Sequence, residues 1–252
     1  MNDGRCWWIR VAVWAGALWG LGGGWLPAMA AGPPAAPPPP PAARPAQPSQ
    51  AGPPAPLVRL ITPGRFDVGG CQLDKAAGEV SFPAKVNMDK GLLEYVVVAA
   101  GGKVHESLLR TEVEPFALQM ALLLAGLEGT LSPLPAQGAS ELPSGDPVRL
   151  TVRWDAGGSP RTVPVEDWLL RRQVPASPLP WVFTGSVIDR GVFMAQTERS
   201  LVAIYHDPLA LIDHRAEDGA SDEIWFVNDQ AVPPAGTPVT VTIRRAPASP
   251  LP

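Results

Sequence analysis

The chain has 252 residues, enough for one or two domains with a buried core. Charged residues make up 17%, and there are 32 prolines and 25 glycines. An apolar share of 46% excludes general disorder and a polytopic membrane protein, and a net charge of −4 leaves no electrostatic footprint for nucleic acid.

Arg5 and Arg10 precede an uncharged run from Val11 to Ala31 that contains Ala28-Met29-Ala30. A basic start, an apolar stretch and a small-residue exit mark residues 1–30 as a signal peptide. The same run is long enough to span a bilayer as an uncleaved anchor, with Trp7, Trp8 and Trp25 near its ends. Membrane contact is expected only through such an uncleaved segment. Either reading sends the chain across the inner membrane, to a periplasmic, cell-envelope or secreted location. Residues 31–56 hold 12 prolines and one charge, Arg44. They form a proline-rich arm that cannot build a core and that spans roughly 80 Å as extended polyproline II.

Residues 57–252 are read as the folded domain. Short β-branched or alternating runs bounded by Gly and Pro predict strands at 57–61, 79–82, 92–99, 103–110, 148–155, 181–188, 192–196, 200–205, 223–227 and 238–244. Gly101-Gly102 lies between two of these and predicts a hairpin; Ala156-Gly157-Gly158 closes a similar turn. Glu114-Pro115 opens a helix that Gly126 stops, and from Phe116 to Ala125 only Gln119 is polar. A helix apolar nearly all round is a buried one. A second helix is predicted at 165–172, and Asp207-Pro208 starts a third short turn. Residues 128–146, rich in Gly, Pro and Ser, read as a loop insertion. The fold class expected is α+β: a mostly antiparallel β-sheet with one buried helix and one or two short helices.

Several segments, in order, are recognisable. They are Phe82-Pro83-Ala84-Lys85-Val86-Asn87, Gly91-Leu92-Leu93-Glu94-Tyr95 and Gly102-Lys103-Val104-His105-Glu106-Ser107-Leu108-Leu109, followed by the helix from Ala121 to Leu127. Trp181-Val182-Phe183-Thr184-Gly185-Ser186, Asp207-Pro208-Leu209-Ala210-Leu211-Ile212-Asp213, Ile224-Trp225-Phe226-Val227-Asn228 and Gly236-Thr237-Pro238-Val239-Thr240-Val241-Thr242 continue the set. Together they resemble the YdjY-domain family of bacterial envelope proteins, over about residues 57–245. The resemblance implies an envelope protein and carries no catalytic residues over to this chain. Members of the wider group bear a ferredoxin-like label, from which this chain departs. Removal of the segment containing Cys6 leaves Cys71 alone, so a 4Fe-4S cluster is excluded within one mature chain, and no other cofactor is evident. Cys71 itself reads as a buried small hydrophobe.

The best polar cluster is Glu94, His105, Glu106 and Ser107. On a hairpin with a two-residue loop, Glu94, His105 and Ser107 share one face; a three-residue loop instead sets Glu94 with Glu106. The chemistry is a carboxylate orienting an imidazole, able to take a ligand carboxyl or a metal whose identity is left open. A Ser–His–carboxylate hydrolase is the bolder version, although Ser107 lacks a nucleophile elbow. A histidine that merely ties the hairpin to the helix is the structural alternative. His206-Asp207 and Asp213-His214 form a secondary cluster, with His206, Asp207 and Asp213 as the secondary candidates. Asp207 is expected to cap a short helix, and the spacing of His206 and His214 does not match the i, i+4 metal pair. Trp154, Trp168, Trp181 and Trp225 read as core. The function expected is a non-enzymatic envelope module that binds a small ligand, a metal ion or an envelope protein partner. A hydrolase or acid–base enzyme, and an assembly module with no small-molecule site, are the alternatives.

Overall fold

The computed structural model describes residues 56–247; the expected signal segment and residues 31–55 of the arm lie outside them. In chain order the strands are β1 (Val58–Thr62), β2 (Arg65–Val68), β3 (Cys71–Asp74), β4 (Glu79–Val86), β5 (Tyr95–Ala99) and β6 (Ser107–Thr111). Helix α1 (Pro115–Leu124) precedes β7 (Asp146–Asp155), β8 (Pro160–Pro164), β9 (Leu169–Arg171), β10 (Val174–Pro175), β11 (Trp181–Phe183), β12 (Ile188–Asp189) and β13 (Val192–Phe193). Helix α2 (Met194–Glu198), β14 (Ser200–Ala203), β15 (Ile212–His214), β16 (Trp225–Val227) and β17 (Pro238–Arg245) follow.

Eight strands close a ring in the order β4-β17-β7-β11-β15-β14-β5-β6, with β6 pairing back to β4. The pairs β14–β15 and β5–β6 are parallel and the other six antiparallel. The expected α+β class is therefore corrected: this is a mostly β protein, an eight-stranded closed barrel with extra strands. The described helices have 10 and 5 residues. The segment 165–172 is not a helix; after a 3-10 turn at Val165–Trp168 it becomes β9, which pairs with β10 and β16.

Alternation builds the barrel core. Val80, Phe82 and Ala84 of β4 stand opposite Ile243, Val241 and Val239 of β17, and Ile243 and Val241 stand opposite Leu150 and Val152 of β7, all in one core with Val86 and Val148. Pro83 interrupts β4 at an informative place. The strand pairs with β3 through Ser81 and with β6 from Lys85 onward. Pro83, which has no N–H to donate, falls in the gap where β4 changes partner. That exchange lets one sheet both close on itself and extend outward through β3, β2 and β1. The β2–β3 turn is Gly69-Gly70, with φ of +56° and +93°, the two positive values a type I′ hairpin requires.

Helix α1 packs on β2 and β3 and buries Pro115, Ala117, Leu118, Ala121 and Leu122. It is not buried all round: Phe116, Leu123 and Leu124 face outward. Trp168, Trp181 and Trp225 are buried, with Trp154 half-buried against Trp168. Cys71 is buried, and desolvation, with Asp67 nearby, pushes its thiol up to about 12, which makes it unreactive. No helix among the described residues is long and apolar enough to cross a membrane.

Candidate functional site

The predicted hairpin does not form. Strands β5 and β6 run parallel, Tyr95 beside Ser107 and Ala99 beside Thr111, so the chain returns the length of β5 before β6 starts. The return includes a 3-10 turn, Val104–Glu106, which carries His105 at the surface with its side chain 77% exposed. His105 Nε2 lies 3.3 Å from Glu106 Oε2. Ser107 is buried, and its Oγ donates to the Lys103 carbonyl at 2.6 Å. The Ser–His–carboxylate constellation is thus not assembled: the hydroxyl is spent on backbone and shut away from solvent. Glu94 stands beside this turn, its backbone N–H donating to the Glu106 carbonyl. Partial burial, then the charges of Glu106 and Asp222, raise its pKa.

The secondary cluster is drawn together far more tightly. His206, Asp207, Asp213 and His214 are all buried, and the two imidazole centroids lie 5.3 Å apart. Eight residues of sequence separation hide this proximity, because the chain turns at 207–210 and comes back as β15. Asp207 caps no helix there; its Oδ1 accepts the Leu209 N–H in a tight turn. Its Oδ2 accepts the Tyr95 hydroxyl at 2.8 Å, and Lys103 Nζ donates to that hydroxyl at 2.6 Å. Gln137 Nε2 reaches both Tyr95 Oη and Glu94 Oε2, linking the buried cluster to the surface one. Tyr95, Lys103 and Gln137 are members that the sequence does not single out, since no local motif marks them.

Donor atoms of His206, Asp213 and His214 lie within 4.8 Å of one another, a set that suits a transition metal. Every one of those donors already has a backbone partner. Asp213 accepts the Asp207 N–H on Oδ2 and the His214 N–H on Oδ1. His214 Nε2 donates to the Ile204 carbonyl and its Nδ1 accepts the Ala216 N–H, which fixes one neutral tautomer. Burial pushes its pKa down to about 4. His206 sets Nδ1 on the Ala139 carbonyl at 2.9 Å and Nε2 on the His214 carbonyl at 3.0 Å. Both ring nitrogens of His206 are thus occupied by backbone carbonyls, with Asp213 close by. The residues therefore form a self-satisfied hub that ties the 125–145 segment to β15. A crevice of about 10 Å³ lies between Asp207, Asp213, Thr184 and the loop residues Thr130, Ser132 and Ser144, room for one water at most.

Tyr95→Phe tests the hub. It leaves the buried Asp207 Oδ2 without its hydroxyl donor and Lys103 without its acceptor. A loss of about 2 kcal/mol in urea unfolding is expected; an unchanged midpoint would show that the Asp207 contact carries no weight.

The family model described as the YdjY domain matches residues 71–244. This chain belongs to the YdjY-domain family. The matched YdjY domain takes in all eight barrel strands and both clusters, and leaves β1 and β2 outside it. No curated protein and no solved structure matches the chain.

Proposed function

We propose that this YdjY-domain protein is an exported, non-enzymatic binding module of the cell envelope. It takes a small ligand, a metal ion or an envelope protein on the face bearing Glu94, His105 and Glu106. Export is supported by Arg5 and Arg10, the uncharged run after them and Ala28-Met29-Ala30. One observation carries the binding face: the polar groups of the buried hub are committed to backbone partners, whereas His105 and its neighbouring carboxylates are held at the surface with solvent access. Ser107, the one nucleophile in the cluster, is shut away, which favours recognition over catalysis.

The test has two parts. The full-length chain is expressed in a bacterium, fractionated, and its metal content measured by mass spectrometry beside His105→Ala. A photo-reactive amino acid is then placed at position 105 and, as a control, at Lys75. Recovery outside the cytoplasm is expected, with either a metal lost in the variant or adducts specific to position 105. Retention in the cytoplasm, or identical behaviour at both positions with no metal, sinks the reading.

A further inference from the structure

Part of the barrel exterior carries charge opposite in sign to that of the chain as a whole. Along β4, β17 and β7 buried side chains alternate with outward ones. Lys85, Arg149, Arg153 and Arg244 point outward there, and Arg110 of β6 stands beside Lys85; all five are exposed. Among the described residues none of the five is in an ion pair, although the chain carries a net charge of −4. The register makes this arrangement costly. Lys85 lies directly opposite Arg110, and Arg149 directly opposite Arg244. Like charges that face each other across two strands destabilise a sheet. Neither Glu79, across from Arg244, nor Glu112, just past β6, forms an ion pair with them. Asp155 turns its carboxylate to the Gly158 N–H at the tip of the β7–β8 hairpin.

We infer that this face rests on an anionic phospholipid surface, a contact separate from the His105 face and from the one expected of residues 1–30. Five cations that the chain leaves unneutralised call for an anionic partner, and a phosphate group set between the members of each repulsive pair relieves it. The cations are spread out and do not converge. Lys85 stands opposite Pro238, and Arg244 lies roughly 20 Å further along β17. Such spacing suits many anionic groups side by side and not one small anion. A protein partner would want an aromatic or aliphatic anchor at the centre of the patch. No large apolar side chain on these four strands is exposed, and between the two pairs lie Ser81, Thr151, Thr240 and Thr242. Attachment is therefore electrostatic and shallow, and it weakens as salt is added.

Co-sedimentation of the full chain with vesicles tests this. One set is pure phosphatidylcholine, the other an equal mixture of phosphatidylcholine and phosphatidylglycerol. The quantity read is the excess binding to the anionic set, which is expected to fall as salt is raised. Lys85→Glu combined with Arg149→Glu turns each repulsive pair into an attractive one. The urea midpoint of that variant is expected not to fall, while its excess binding drops at least about 25-fold, near fivefold for each basic group lost. Arg172→Glu combined with Arg190→Glu makes the same change in net charge away from the face and is expected to keep most of the binding. Residues 1–30 are the same in every variant, so the comparison reads the face. Equal binding to both vesicle sets overturns the inference. So does a Lys85→Glu/Arg149→Glu chain that binds as the natural one does, or a control variant that loses as much. If single-stranded DNA is bound through Lys85 and Arg149 in preference to the vesicles, the face serves nucleic acid and the lipid assignment falls.

Discussion

Gly219→Ala is expected to lower stability by about 3 kcal/mol, a large effect for one methyl group on a loop. Gly219 lies against the edge of the His206 ring, and a Cβ built there falls on the ring itself. The glycine is needed for this approach rather than for a special backbone angle. His206 cannot move aside without loss, since its two nitrogens hold Ala139 and His214, and its own N–H donates to the Gly219 carbonyl. A displaced ring takes their partner from the Ala139 and His214 carbonyls and frees the 125–145 segment, where the Gly138 N–H donates to the His206 carbonyl. Urea unfolding checks the magnitude. Hydrogen exchange checks the mechanism: protection at Gly138 is expected to collapse before that of β4 or β17. A uniform loss of protection across the barrel would show that Gly219 matters for some other reason.

Asp213→Asn is expected to uncover an acid sensitivity that the natural sequence conceals. The folded His214 has its pKa pushed down to about 4 by burial, against about 6.5 in an unfolded chain. Between those values the unfolded chain holds a proton that the folded one does not. Stability from His214 is therefore complete above about pH 6.5 and falls as the pH drops toward 4, by about 3 kcal/mol. Asp213 works in the opposite sense. Burial first, and the charge of Asp207 in addition, raise its pKa, so across the same window the folded chain holds the extra proton. Its contribution is complete below the unfolded carboxylate pKa and fades as the pH rises through the folded value. The two slopes offset each other. Removing the Asp213 carboxyl leaves the His214 slope alone, added to a constant loss because an amide cannot accept both N–H groups. Urea midpoints of natural and variant chains between about pH 6.5 and 4.5 separate the two contributions. Parallel profiles would refute the compensation.

Much of the strand content was legible, because β4, β7 and β17 alternate cleanly. The way they join was not. The glycine-pair hairpin signal points to Gly101-Gly102, whereas the two-residue turn of that kind sits at Gly69-Gly70. Gly101-Gly102 belongs instead to a return that sets β5 and β6 parallel, and nothing in the local pattern distinguishes the two uses. The apolar run of α1 read as a buried helix because composition registers hydrophobicity and not its cause. Half of that run covers β2 and β3 and half faces outward. The polar clusters show the same limit. Glu94, His105, Glu106 and Ser107 are sequence neighbours or near neighbours, yet Ser107 is buried while His105 faces solvent. The buried hub takes members from β5, the 125–145 segment, β15 and the turn before it, and such convergence follows only from the closed ring.

The Pro83 gap has a consequence for timing. The ring cannot close until β17 is laid between β4 and β7, and β4 and β17 come from nearly opposite ends of the described chain. A nascent chain can make the β1–β4 meander and α1, but it has no means of sealing the barrel. Long-range pairing of this kind is slow to form. The polypeptide thus stays unsealed until its late strand arrives.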